Sequence, residues 1–272
     1  MESIIPLKLG IVSVSKTSPG ASILFHESIR LNIPTDFLTI NDLIETNIAD
    51  IYSKIIFRIG PSTYWRYKEL LEELPESHKE SLRKIVAAFD KSSSYLLMKD
   101  KIPIPDFKIT TINDIEFAGN IFIIKPPIGN QGRGIYLVDS EAKLQEIKKA
   151  KDDLDELVIV QEYVPESMGA DKRLFVVGDK VVASMQRYST SHDFRANLHL
   201  GGRAETYIPT KTEENIAIEC NKLHGLVYSG VDIVDSSRGP LVLEINPSPG
   251  FKIEDIAKVN ISNLIIREYL RG

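Results

Sequence analysis

The first third of the chain alternates apolar and polar positions in the manner of a small α/β domain. Its apolar runs have the length of buried strands, and the apolar positions between them recur with helical spacing. We therefore predict an N-terminal α/β domain over residues 1–82. Its predicted elements are strands at 9–14, 37–40 and 55–59 and helices at 21–31 and 67–74.

A helical pattern over residues 81–99 then leads, through an extended Ile-Pro-Ile-Pro link, into a part of the chain rich in strand-like runs. This pattern of strand-like runs predicts an α+β fold of two lobes, residues 83–156 and residues 157–272. Three helices, at 140–151, 212–224 and 253–269, are predicted to cover the strands. The predicted strands are 107–111, 121–125, 135–138, 157–163, 173–177, 180–186, 230–234 and 241–245.

Composition narrows the class of protein. With 33 Lys and Arg against 38 Asp and Glu, the formal net charge of -5 argues against general nucleic-acid binding. The single cysteine, Cys220, cannot form an internal disulfide, which favours a cytosolic protein. We expect neither a signal peptide nor a membrane span, because the N-terminus is acidic and no run approaches the ~20 apolar residues a span needs.

Two neighbouring strands carry a candidate metal site. If the strands at 230–234 and 241–245 form a hairpin in which Val234 pairs with Val242, Asp232 lies opposite Glu244 on one face. Asn246 shares that face, because side chains alternate along a strand. Two carboxylates and an amide suit Mg²⁺, a hard cation that prefers oxygen ligands. An ordinary solvated sheet face is the alternative.

A glycine-rich loop follows the strand that ends at Lys125. Its segment 129–134 reads Gly-Asn-Gln-Gly-Arg-Gly, and glycine permits the backbone angles with which amides surround an anion. Lys125 would bring a cation to this loop, so the pattern predicts a phosphate-binding site. It is not a Walker loop, since no Gly-Lys-Ser/Thr opens a helix. A mobile hairpin with a solvated lysine is the competing interpretation.

Further polar residues are candidates for the same pocket. Arg173, Arg187 and the segment 193–203 supply guanidinium groups, whose planar fork suits phosphate and carboxylate. The strand at 157–163 ends in polar residues that could meet an adenine edge and a sugar. Surface salt bridges and an ordinary buried strand are the alternatives for these two features.

Taken in order, these motifs resemble the ATP-grasp superfamily, and most closely the RimK-like ligases. The resemblance covers about residues 80–272, and the two strings at 193–202 and 244–251 are its most specific parts. The first 80 residues resemble only the α/β domain that usually precedes the ATP-grasp body. The motifs are Asp90-Lys91-Ser92, Lys125 with its glycine loop, Val160-Gln161-Glu162-Tyr163, Asp171-Lys172-Arg173, 193–202, Gly230-Val231-Asp232-Ile233 and 244–251.

The resemblance implies a nucleotide held between two α+β lobes and assigns roles to residues of this chain. Lys91, Lys125 and Gly132 would contact the phosphates. Gln161, Glu162 and Tyr163 would lie at the adenine hinge, with Asp171 near the ribose. Arg195 and Asn197 would approach the phosphates and the acceptor, and the candidate catalytic arginines are Arg187, Arg195 and Arg203. Asp232, Glu244 and Asn246 would hold Mg²⁺, with Mn²⁺ as an alternative ion.

The activity implied is ATP-dependent formation of an amide through an acyl phosphate, with release of ADP and phosphate. The expected partners are an amino acid, L-glutamate above all, and a small-molecule or peptide carboxylate, such as a protein C-terminus or a pterin- or deazaflavin-type cofactor. A nucleotide-sensing module without turnover and a small-molecule kinase are the alternatives. The terminal helices are a candidate surface for a homo-oligomer.

Overall fold

The computed structural model places the strands in three sheets that follow one another along the chain. The first sheet lies in the N-terminal part, and the other two make up the α+β body. This arrangement agrees with the predicted order of an α/β domain and a two-lobed body. The structure describes residues 8–45, 51–130, 132–167, 169–189 and 202–271.

The N-terminal sheet is parallel, in the order β2-β1-β3. Its carboxyl ends therefore meet at one edge, which is where ligands bind in open parallel sheets. All three strands and both helices predicted here are confirmed to within a few residues. The elements are β1 (Leu9–Ser13), α1 (Pro19–Arg30), β2 (Thr35–Thr39), α2 (Ile40–Glu45), β3 (Lys54–Arg58) and α3 (Tyr64–Glu73).

The helical pattern predicted over 81–99 is two helices rather than one, α4 (Glu76–Phe89) and α5 (Lys91–Met98). Asp90 separates them because its carboxylate accepts hydrogen bonds from the amides of Ser92 and Ser93 and so caps the second helix. The domain limit predicted at residue 82 falls inside α4. The three domain ranges stay a prediction.

The second sheet is antiparallel, in the order β4-β7-β5-β6. A helix, α6 (Glu141–Lys149), follows β6, and the Ser140 hydroxyl caps it by accepting from the Lys143 amide. The strands are β4 (Phe107–Thr111), β5 (Phe122–Lys125), β6 (Tyr136–Val138) and β7 (Leu157–Glu162).

The third sheet is also antiparallel, in the order β10-β9-β8-β11-β12. The short edge strand β10 was not predicted. The helix predicted at 253–269 is interrupted at Lys258, whose φ of 56° ends α8 in the left-handed region. The elements are β8 (Ala170–Val177), β9 (Lys180–Tyr188), β10 (Arg203–Thr206), α7 (Lys211–Leu223), β11 (Tyr228–Val234), β12 (Leu241–Asn246), α8 (Lys252–Ala257) and α9 (Ile261–Arg271).

One buried cluster joins the first sheet to the third. Ile11 and Ile56 pack in the same cluster as Phe175, Tyr228 and Ile265. Burying a side chain of this size stabilises the fold by ~1.5–3 kcal/mol, so this cluster fixes where the carboxyl ends of the first sheet stand relative to β11. Along the described ranges, no helix has both the length and the apolar character needed to cross a bilayer.

Candidate active site

A cavity of about 730 Å³ opens between the three sheets. It is bordered by the carboxyl edge of the first sheet, the loop after β5, the end of β7 and one face of the third sheet. Its volume is in the range of small-molecule and cofactor sites. Eleven predicted site residues border it: Lys91, Lys125, Gly132, Gln161, Glu162, Tyr163, Asp171, Arg187, Asp232, Glu244 and Asn246.

Lys125 ends β5 and is buried in the cavity wall at 5% exposure. Its ammonium donates to the Tyr95 hydroxyl at 2.7 Å and to Gln161 Oε1 at 2.9 Å. The Tyr95 hydroxyl donates in turn to the carbonyl of Leu243 on β12. Burial lowers the pKa of Lys125 to about 7, with Glu244 acting in the opposite direction. No carboxylate of the described residues forms an ion pair with Lys125, so a bound anion would stabilise its charged form.

Lys91 is the first residue of α5 and ties that helix to the glycine-rich loop. Its ammonium donates to the Gly129 carbonyl at 2.9 Å, and its amide donates to the Pro127 carbonyl at 2.8 Å. Gly132 and Gly134 take φ values of 73° and 71°, a region that glycine enters without a steric penalty. Two lysines from different elements therefore face one loop of adaptable backbone.

The hairpin of β11 and β12 places Asp232 opposite Glu244, as predicted. Beyond this pair β12 carries one extra residue, a β-bulge that shifts the register by one. Val234 consequently pairs with Leu241, and the predicted pairing with Val242 was wrong. The part of the register that aligns the candidate metal ligands precedes the bulge and is unaffected by it.

Two arginines hold the carboxylate of Asp232. Arg173 donates from Nε to Oδ1 and from Nη2 to Oδ2, both at 2.7 Å, and Arg187 Nη2 donates to Oδ2 at 2.7 Å. Arg187 also pairs with both oxygens of Asp171. Burial alone would raise the pKa of Asp232, but Arg173 and Arg187 outweigh it and hold that pKa at about 2. Burial raises the pKa of Asp171 despite its contact with Arg187.

The oxygen donors on this hairpin suit a hard cation, although their role as metal ligands stays a prediction. Three hydrogen bonds leave Asp232 with about one of four acceptor positions, on Oδ1. Glu244 has neither an ion pair nor a side-chain hydrogen bond within the described part of the chain, and Asn246 Oδ1 accepts from the Ser248 amide at 2.9 Å. No three His, Cys, Asp or Glu side chains of the described residues converge, so the set needs the Asn246 amide.

The end of β7 forms another part of the cavity wall. Gln161 is buried, and Glu162 accepts hydrogen bonds from Arg238 and from the Asp106 amide. Tyr163 follows directly and also borders the cavity. Their assignment to adenine, like that of Asp171 to the ribose, stays a prediction.

Of the remaining predicted residues, Arg203 does not join this assembly. Arg203 lies on the edge strand β10 with 66% of its side chain exposed, near Glu205 and the Tyr188 ring. It does not border the cavity as the described residues define it, so the geometry gives its catalytic role no support. Arg195 and Asn197 lie outside the described residues.

Sequence reasoning missed two residues that the structure brings to the cavity region. Tyr95 carries no recognisable motif, and only the folded contact between α5 and β5 identifies it as a partner of Lys125. Arg58 borders the cavity directly. A signal for it was present, because a charged residue directly after an apolar run of a parallel strand lies at the edge where ligands bind.

Solved structures with this architecture define the class as the ATP-grasp fold. D-cycloserine synthetase DcsG superposes with a TM-score of 0.76 at 14% identity, over 97% of this chain and 99% of that one. A D-alanine--D-alanine ligase from Bacillus anthracis, determined with ATP, gives a TM-score of 0.67 at 19% identity, over 97% and 98% of the two chains. At these identities the likeness establishes the fold alone, and it confirms the predicted fold class.

The family follows from the sequence match. The model of the RimK-like ATP-grasp domain matches residues 88–269, and the chain belongs to this family. A probable alpha-L-glutamate ligase of a Shewanella species is 45% identical over 154 residues, which are 56% of this chain and 51% of the relative. The chain thus spans about half the length of the curated relatives it matches. The predicted family resemblance is confirmed.

Proposed function

We propose that this chain is an ATP-dependent carboxylate–amine ligase that adds L-glutamate to a carboxylate acceptor. The γ-phosphoryl group of ATP passes to an acceptor carboxylate oxygen, which gives an acyl phosphate and ADP. The amine of L-glutamate then attacks the acyl carbon, forms the amide and expels phosphate. Family membership and the name of the Shewanella relatives support this activity. The acceptor is a protein C-terminus or a pterin- or deazaflavin-type cofactor.

The observation that carries the proposal is the convergence of two kinds of group in one cavity. Lys91 and Lys125 lie by the glycine-rich loop, while Glu244 and Asn246 lie on β12. Tyr95 links the two sides, since it contacts both Lys125 and the β12 backbone. Phosphoryl transfer needs cations and a metal around the same phosphate oxygens, and little covalent chemistry from the protein.

Each group has a defined task in this reaction. Lys91 and Lys125 neutralise phosphate oxygens, and the glycine-rich loop 129–134 covers them and excludes water from the acyl phosphate. Asp232, Glu244 and Asn246 would hold Mg²⁺, which would supply charge neutralisation for the phosphate oxygens. Arg187 keeps the Asp232 carboxylate oriented and ionised through its 2.7 Å contact.

The direct test incubates the protein with Mg·ATP, L-glutamate and a panel of carboxylate acceptors, and follows ADP together with product mass. Glu244→Gln should lower Mg²⁺-dependent turnover by about a hundredfold or more, because it removes the negative charge of a proposed metal ligand from the phosphate-binding centre. Glu219→Gln is the matched control, since Glu219 is an exposed residue of α7 paired with Lys222. Hydroxylamine should trap the acyl phosphate when L-glutamate is left out.

The results separate the alternatives. An amide product with ADP supports the ligase. A stable phosphate ester that resists hydroxylamine would indicate a kinase instead. Nucleotide binding without turnover across the panel would indicate a sensing module, and AMP as the product would contradict the acyl-phosphate route.

A further inference from the structure

Arg58 is a buried cation that meets no opposite charge among the described residues. It ends β3, is 8% exposed and borders the cavity on the side of the first sheet. Its Nη1 donates to the Tyr228 hydroxyl at 3.2 Å and its Nη2 to the Pro249 carbonyl at 2.9 Å. Both acceptors are neutral, and no carboxylate of the described residues pairs with Arg58. A buried charge without an opposite charge is costly, which makes this position informative.

The groups around Arg58 also favour the binding of an anion. Ser13 is its register partner on β1, so the two side chains lie side by side on one face of the sheet. Ser13 Oγ and Arg58 Nε are both buried and have no hydrogen-bond partner in the part of the chain that the structure describes. The guanidinium packs on Gly20 in the first turn of α1, where a Cβ would stand 2.5 Å from Nη2. This twelve-residue helix begins at Pro19, and the Ser18 side chain does not cap its free amides.

Aromatic rings compensate only part of this charge. The guanidinium lies 4.9 Å from the Phe251 ring centroid and 6.0 Å from that of Tyr228. Such contacts stabilise a cation through the ring quadrupole, but they bring no net negative charge. Two N–H groups of the guanidinium bond Tyr228 and Pro249, so three others are available to a ligand. The N-terminal end of α1 adds a positive potential at the same place.

We infer that Arg58 and the first turn of α1 bind a substrate carboxylate that does not react. The inference rests on the proposed ligase activity. Arg58 contacts the carbonyl of Pro249, three residues after Asn246, so its subsite adjoins the proposed reacting centre within the same cavity. The added amino acid carries carboxylates that stay ionised throughout the reaction, and an acceptor can carry a second one. A planar guanidinium recognises either of them through two parallel hydrogen bonds.

The test measures binding of two probes by calorimetry in the presence of Mg²⁺ and AMP-PNP. L-Glutamate represents the added amino acid, and N-acetyl-L-glutamate, whose amine is blocked, represents an acceptor acid. Arg58→Met should weaken at least one of them by about ten- to a hundredfold, the effect of losing a charged hydrogen bond. Its affinity for AMP-PNP should stay within about twofold of the unmodified chain. Arg83→Met, an exposed arginine paired with Glu76, is the matched control.

A second variant tests the inference independently, in case Arg58→Met fails to fold. Gly20→Ala keeps the charge but introduces a Cβ only 2.5 Å from the position of Arg58 Nη2, so the guanidinium must move. It should weaken the same probe as Arg58→Met, while Arg58→Lys should restore part of the affinity. Thermal unfolding of each variant shows whether the fold is intact.

The outcomes separate this inference from the proposed function. The probe that loses affinity identifies the source of the carboxylate. Unchanged binding of both probes to folded Arg58→Met and Gly20→Ala chains would overturn the inference while leaving the ligase proposal intact. So would a wild-type chain that binds AMP-PNP but neither probe. Failure to bind AMP-PNP, or to form an amide with any acceptor, would count against the ligase proposal itself.

Discussion

Nucleotide binding at Lys125 should be accompanied by uptake of a proton. In the free protein, burial lowers the pKa of this ammonium to about 7, so most of the side chain is neutral at pH 8. Phosphate oxygens placed beside it favour the charged form and raise its pKa. The lysine should therefore gain a proton from solvent whenever the phosphates bind above neutral pH.

The magnitude follows from the two protonation equilibria. With a pKa of about 7, roughly one-tenth of Lys125 is protonated at pH 8 before binding. If the phosphates raise the pKa by ~2 units, within the range for an adjacent opposite charge, about nine-tenths is protonated afterwards. The expected uptake is about 0.8 proton per nucleotide at pH 8 and about 0.1 at pH 6. By linkage, the affinity at pH 8 should be about tenfold weaker than at pH 6.

Calorimetry in two buffers of different ionisation enthalpy measures the protons taken up. AMP-PNP titrated without metal isolates the phosphate contact, because a divalent ion near Glu244 would change the same equilibrium. Lys125→Arg sets the baseline, since a guanidinium stays charged in both states and the remaining uptake then belongs to the nucleotide. Lys91→Arg is the second control and should leave the uptake in place. Equal proton uptake by the unmodified chain and by Lys125→Arg at pH 8 would refute the reasoning.

Three further predictions concern other parts of the chain. Asp232→Asn should lower the free energy of unfolding, measured with urea near neutral pH, by about 3 kcal/mol, because it removes the negative charge that two buried arginines contact. The effect should shrink as pH falls through about 2, where the native carboxyl, with its lowered pKa, takes up its proton. Trp65 is the chain's single tryptophan, is 71% exposed and shares a groove with Gly129, so its fluorescence should change when a nucleotide binds against the glycine-rich loop. An unchanged spectrum would contradict that coupling. Thr210→Ala should cost about 1 kcal/mol in the same unfolding assay, because it removes the capping box with Glu213.

Local patterns of the sequence were sufficient for much of the fold and for the candidate site. Period-two and period-3.6 spacing located the strands and most helices to within a few residues, since those periods follow directly from backbone geometry. The alignment of Asp232 with Glu244 could be derived because strand alternation fixes faces. The order of the motifs along the chain was sufficient to identify the family.

What sequence reasoning missed depends on contacts between distant segments or on single residues that interrupt a period. The helical periodicity of the sequence continues through Asp90 and Lys258 without a break. In the structure, Asp90 caps a new helix, and Lys258 ends a helix because its backbone is left-handed. The contact of Tyr95 with Lys125, and that of Arg58 with Tyr228, join residues far apart in the chain. No local pattern encodes which distant side chain a buried cation meets.

The ion network on the third sheet is better explained by function than by stability. The network consists of two arginines and two aspartates, so its charges balance, and all four side chains are mostly buried. They are Arg173, Arg187, Asp171 and Asp232. Such a network is often no more stable than apolar residues of the same volume, because desolvation offsets the attraction between the charges. It nevertheless keeps Asp232 ionised, with a pKa of about 2, in a wall where burial alone would favour the neutral acid. An ionised carboxylate that keeps a lone pair available and lies opposite Glu244 is what a divalent cation requires. The arginines thus maintain the charge state that the proposed metal site depends on, and that need accounts for a cluster of charges at this position.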